Sequence, residues 1–261
     1  MTDMVRVGGL DLLDLDLAGE RQGRDMLPYP FRYTHPTRFA YADEVESYSA
    51  TVPERVRSGD LAVFVRFLHT LWHFDIEVSC HVQPMRTDVE SVQALAVRSG
   101  QQGFLAVQRN EVDVVDIHSV SPYDLGAAIA EAAGLQKPGR HRRIVVPDLN
   151  RNGTKPADGN DSSVMIRQSA AQTTDVAVPM SAITAYATVQ SRWEPARRWG
   201  PDRSKPMLIW LRTDDDGEYV YEDDAPHAIP LSRDGLQERI DRLIAADIAT
   251  LREARSEASW A

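Results

Sequence analysis

Gly103-Phe104-Leu105-Ala106-Val107-Gln108-Arg109-Asn110-Glu111-Val112-Asp113-Val114-Val115-Asp116-Ile117 is the stretch that decides the fold. It reads as two strands, 103–109 and 111–117, turning around Asn110. Ser121-Pro122-Tyr123-Asp124 follows, then a helix with Leu125 and Ile129 one turn apart. The same plan recurs later. Residues 206–212 and 218–221 flank Asp214-Asp215-Asp216-Gly217, and Pro230-Leu231-Ser232-Arg233-Asp234 leads into a helix with Leu236 and Ile240 one turn apart. A doubled hairpin-plus-helix unit predicts an α+β body of two lobes around a shared antiparallel sheet. Such a body offers a surface for holding another protein more readily than a pocket for chemistry.

Outward from these units the pattern is less regular. Leu10, Leu12, Leu13, Leu15 and Leu17 fit a strand or a helix. Pro28-Tyr29-Pro30 predicts an extended connector, because proline restrains itself and the residue before it. A helix is expected over 40–50, and Pro53 is placed to start a second. Asp60 is a candidate N-cap for a third, whose stripe is Leu61, Phe64, Val65, Leu68, Leu71 and Trp72. From Asp75 the period falls to two, and residues 75–118 read as a strand meander; 91–98 also suits a helix, but the turn-rich 99–103 favours a strand. A helix then runs from Ser121-Pro122 to about Ala133, with Gly134 just past its end. Residues 144–146 read as a short strand. The polar, Gly- and Pro-rich stretch 148–163 is expected to link an N-terminal half (1–147) to a C-terminal half (164–261), both within one compact domain. Residues 175–193 read as mainly helical, 194–205 as a basic Trp- and Pro-bearing loop, and 235–255 as a closing helix with stripe Leu236, Ile240, Leu243, Ile244, Ile248 and Leu251.

Bulk composition narrows the classes. The chain has 261 residues, 43% of them hydrophobic, enough for a proper core. Its 29 basic and 39 acidic residues give a formal net charge of −10, a field that repels nucleic acid and anionic membrane surfaces. No apolar run approaches the ~20 residues of a membrane span. No secretory signal is visible at the N-terminus, and the single cysteine, Cys80, fits a reducing cytosol.

Residues that could carry chemistry have plainer readings. His69 and His73 sit one helical turn apart, a spacing that can hold a metal, but Thr70 stands where a zinc protease needs glutamate and no third ligand is evident. A polar helix face is the simpler account. Asp214-Asp215-Asp216-Gly217 lacks the glutamate a calcium loop needs at its twelfth position, which is Ala225, and serves better as a hairpin turn. Cys80 lies in an apolar strand with His81 on the opposite face, so it reads as buried. Arg140-His141-Arg142-Arg143 reads as a solvated basic loop, and Arg197-Arg198-Trp199 as a protein or structural contact. Phosphate-binding glycine loops, nucleophile elbows and paired-cysteine zinc signatures are absent from the sequence. No cofactor is expected.

The pattern as a whole resembles the EspG family of actinobacterial type VII (ESX) secretion-associated proteins. The resemblance rests on residues 10–17 followed by Pro28-Tyr29-Pro30-Phe31, on residues 103–108 followed by Val120-Ser121-Pro122 and the Leu125/Ile129 helix, and on Pro138-Gly139-Arg140 before the strand ending at Pro147. In the second half it rests on residues 208–214 with Asp216-Gly217-Glu218-Tyr219, then the helix entry at 230–244. It implies quasi-two-fold halves with a central, mainly antiparallel sheet flanked by helical bundles. It also implies a cytosolic chaperone or adaptor, without catalysis, that covers the exposed apolar tip of a secreted PPE-type or PPE-like protein, itself paired with a PE-type partner. An exposed apolar tip is an aggregation hazard that such a body can shield. The second-half hairpin and the closing helix are the expected partner surface, with Trp199, Trp210, Tyr219, Arg239 and Arg242 as candidate contacts, since aromatic and arginine side chains often anchor interfaces. For Trp210, lying in an apolar strand, a core position is the competing account. Two other functions compete: an enzyme with an unmarked pocket or metal site around His69 and His73, and a regulatory subunit whose partner is unrelated to PPE proteins.

Overall fold

The computed structural model describes residues 3–86, 89–147, 175–195, 198–222 and 225–258. The expected linker 148–163 lies outside them. One eleven-stranded sheet runs through the molecule. In chain order its strands are β1 (Val5–Asp11), β2 (Ile76–Pro84), β3 (Val92–Ser99), β4 (Gln102–Arg109), β5 (Val114–Val120), β6 (Ile144–Val145), β7 (Val176–Ala177), β8 (Ile183–Arg192), β9 (Leu208–Thr213), β10 (Glu218–Tyr221) and β11 (Ala228–Pro230). The α-helices of the described residues are α1 (Leu12–Glu20), α2 (Ala42–Ser58), α3 (Val65–Trp72), α4 (Leu125–Ala132) and α5 (Arg233–Ala258).

The strand order is β1-β5-β4-β3-β2-β8-β9-β10-β11-β6-β7, antiparallel throughout except for β6 with β7. From the β2–β8 join outward, one side reads β2, β3, β4, β5, β1 and the other β8, β9, β10, β11, β6. Each half is a four-strand meander that ends in a helix, α4 after β5 and α5 after β11. Each is closed by a strand that precedes its meander in the chain. The quasi-two-fold organisation is therefore present, with one correction to the repeat. The hairpin β4–β5 corresponds to β10–β11, not to β9–β10, because the short β11 stands between the second hairpin and α5.

Both faces of the sheet are used. Leu125, Ala128 and Ile129 of α4 and Leu236 and Ile240 of α5 pack on Val78, Cys80, Ala94, Ala96, Ala187, Val189 and Trp210. On the opposite face, α1–α3 cover Leu95, Val97, Phe104, Ala106, Val115 and Ile117 of the first half. Close approaches fix the glycines at two contacts. A Cβ on Gly126 would overlap the Asp241 carboxylate where α4 meets α5, and one on Gly217 would meet Lys137 and Pro138 backbone oxygens at 2.6 and 2.7 Å.

Four local expectations change. The leucine run 10–17 is both strand and helix: β1 ends at Asp11, whose carboxylate accepts from the Leu13 N–H at 2.8 Å and caps α1. Pro53 does not start a helix but lies inside α2. The Ser49 carbonyl, which proline leaves without its helical donor, accepts instead from Arg21 Nη2 at 2.8 Å. Residues 183–192, read as part of a helix, form β8, the longest strand among the described residues. Asp60 is not an N-cap but the first residue of a 3₁₀ helix (Asp60–Phe64) that precedes α3, and its carboxylate pairs with Arg55.

Candidate docking surface

The central strands β2 and β8 are apolar towards α4 and α5 but polar on the other face. There the register sets Glu77 opposite Arg192, Ser79 opposite Gln190, His81 opposite Thr188 and Gln83 opposite Tyr186. This polar stripe follows the join between the halves. Glu77 and Arg192 are 4% and 7% exposed and form an ion pair, with Arg192 Nε donating to Glu77 Oε1. Burial pushes the Glu77 carboxyl up, while the guanidinium pulls it down; the net direction is upward. Burial, with some help from Arg32, lowers His81 to about 4, so its ring is neutral at pH 7.

A loop crosses this stripe after β8. Gln190 pins it with reciprocal bonds, accepting from Asp202 N at 2.7 Å and donating to Asp202 O at 2.8 Å. Trp199 packs edge-on against Tyr29, ring centres 5.1 Å apart, and donates from Nε1 to Phe31 O at 3.2 Å. The segment after Phe31 is held in turn by β4 and the β4–β5 turn. Arg32 N donates to Gln108 Oε1 and Gln108 Nε2 to Arg32 O, while the Asp113 carboxylate accepts from Thr34 N, Thr34 Oγ1 and His35 N. Between the loop and α3 lies a cleft of about 220 Å³. Met26, Leu27, Tyr29, Leu71, Trp72 and Trp199 form its apolar wall. The sequence marked Pro28-Tyr29-Pro30 only as a connector, and its part in seating Trp199 had no local signal.

The five expected partner residues fall into three places. Trp210 is 1% exposed and Tyr219 0%, so both are core: Trp210 lies beneath α4 and α5, and Tyr219 is wedged against Gly139, bonding through its hydroxyl to Asp216. As folded, neither is open to a partner. Arg239 and Arg242 lie on α5; Arg239 pairs with Glu222 at 2.7 Å and Arg242 is exposed. Trp199 is 45% exposed and lies on the other face, since its neighbour Tyr29 packs against His81, which alternates with the α5-facing Cys80.

The residues weighed for chemistry also have definite places. His69 and His73 stack with ring centres 4.6 Å apart, and His73 Nδ1 lies 3.0 Å from the His69 carbonyl oxygen. Stacked rings do not converge their nitrogens on one point. No cluster of three metal-ligating side chains occurs among the described residues. Asp214–Gly217 is the β9–β10 turn, with Asp215 at φ 57°, Thr213 and Gly217 mutually bonded, and Asp216 accepting from Arg140 N at 2.8 Å. That bond ties the basic loop to the hairpin. Cys80 is buried, and burial raises its thiol to about 12.

The chain is thus an antiparallel sheet with a pseudo-two-fold join, helices on both faces and an aromatic-walled cleft. A family model described as the EspG family matches residues 11–242, and the chain belongs to that family. The family is one of ESX secretion chaperones rather than of enzymes. No curated protein sequence matches the chain. Among the described residues, no helix is long and apolar enough to cross a membrane.

Proposed function

We propose that this chain binds a PPE-type or PPE-like secretion substrate in the cytoplasm, as a PE–PPE pair, and shields the apolar tip of the PPE-type subunit until export. The family match over residues 11–242 carries this reading. The surface offered for the tip is the Trp199 cleft, where a large aromatic side chain stands half-exposed beside Met26 and Tyr29. Arg239 and Arg242, on α5 across the sheet, belong to a second contact. A chaperone must release its client, so a contact of moderate area suits the role.

The test is co-expression with a PPE-type protein and its PE partner encoded beside an ESX system, followed by affinity purification and titration. The pair should co-purify. Trp199→Ala should weaken binding by at least about tenfold, as loss of an interface anchor does. Arg242→Ala reports whether the contact extends to α5. Failure of every such pair to bind would overturn the function. Binding indifferent to Trp199→Ala would overturn its placement.

A further inference from the structure

A second cavity, of about 440 Å³, lies on the polar stripe beneath the loop. Its floor is His81 and Gln83 from β2 with Tyr186 and Thr188 from β8. Its walls include Tyr29, Arg203 and Lys205. Two cations and no carboxylate line it, in a chain where acidic residues outnumber basic ones 39 to 29. Two residues of its lining carry a buried nitrogen that makes no hydrogen bond: His81 at Nε2, and Lys205 at Nζ, which lies 5.8 Å from the centre of the Trp193 ring with the Asp202 carboxylate close enough to interact. A buried donor without an acceptor is costly, and an anion within reach of His81 Nε2 and the Lys205 side chain would relieve that cost. The loop is held over the cavity by the Gln190–Asp202 bonds, so the cations are presented by a fixed frame.

We propose that this cavity is a carboxylate-binding pocket, in which Lys205 and Arg203 pair with the anion and the His81 imidazole donates to it. The same group could come from a small dicarboxylic acid or from an acidic side chain of a bound protein. The pocket chemistry is common to both, and the inference does not rest on the identity of the client.

The experiment follows the His81 ring signals by ¹H–¹³C NMR at constant ionic strength. Three probes are added separately: sodium glutarate, the capped tripeptide Ac-Ala-Glu-Ala-NH2, and its glutamine counterpart. A saturable shift with glutarate or with the Glu peptide, absent with the Gln peptide, is expected. Response to glutarate alone assigns a free acid, and response to the Glu peptide assigns a side chain. Arg203→Met with Lys205→Met should weaken the response at least about tenfold, since each removes a charged hydrogen-bond donor. Arg203→Met alone, at an exposed position, keeps the test valid if the double variant unfolds. Shifts that never saturate, that match between the Glu and Gln peptides, or that persist unchanged in Arg203→Met would overturn the pocket.

Discussion

Arg192→Met is the substitution whose cost the structure fixes best. Glu77 and Arg192 face each other across the β2–β8 join, both nearly inaccessible. Removing the guanidinium leaves a carboxylate buried without its counter-charge, a defect that costs about 3–5 kcal/mol. For a chain of this size that corresponds to a fall in Tm of about 6–20 °C. Replacing both residues, Glu77→Leu with Arg192→Met, removes the stranded charge and should recover most of the loss. Urea denaturation of the two single variants and the double variant gives the cycle. The pH dependence supplies an independent sign. Burial already raises the Glu77 carboxyl, and without Arg192 it rises further. A carboxyl with a raised folded-state pKa holds protons that the unfolded chain has lost, so stability falls as pH rises through that window. The Arg192→Met deficit should therefore shrink between pH 7.5 and pH 5. A loss below about 1 kcal/mol, or a deficit that grows on acidification, would refute the idea that this pair is buried and mutually dependent.

Other expectations follow from single contacts. Trp210→Ala should cost about 3–5 kcal/mol as a core deletion, while Trp199→Ala should leave thermal stability within about 1–2 kcal/mol of wild type; melting curves separate the core aromatic from the surface one. Gly126→Ala should destabilise by roughly 1–3 kcal/mol through its clash with Asp241, and Asp241→Ala in the same chain should restore much of it. Burial pushes Asp113 up, but bonds from Thr34 and His35 outweigh it and hold the carboxyl below its usual range. Its contribution is present above the unfolded value near 4 and is lost as pH falls through the folded one. Asp113→Asn should therefore destabilise at pH 7, with the difference from wild type persisting down to about pH 4 and shrinking only below it in denaturation series. Cys80, raised to about 12, should resist a thiol reagent at pH 8 until urea unfolds the chain.

The parts of the fold legible in the sequence are those where local chemistry agrees with tertiary demand. The meander from β2 to β5 shows its period of two, Gly134 takes φ 61° at the end of α4, and Asp215 and Gly217 supply the β9–β10 turn. Strand β8 was hidden by the helix above it. Where α5 crosses, the strand carries Ala185 and Ala187, small enough for close packing, and these two alanines in Ile183–Arg192 read as helix formers. Strand β11 has three residues and ends in proline, too short for any periodicity, and its omission shifted the apparent repeat by one strand. Two of the five candidate contacts, Trp210 and Tyr219, are core for a different cause. Trp210 and Tyr219 sit in strands covered on both faces, and coverage is set by segments distant in sequence. Trp199 could be singled out as an exposed aromatic, but its partners Tyr29 and Phe31 lie some 170 positions away.

Hydrogen exchange of the chain, alone and mixed with a co-encoded PE–PPE pair, tests the central claim most directly. Slowed exchange is expected in residues 23–29, which wall the cleft, and in 198–205 of the loop that carries Trp199, with the sheet core unchanged. A pair that binds while leaving both segments as fast as in the free chain, or that never binds, would contradict the account.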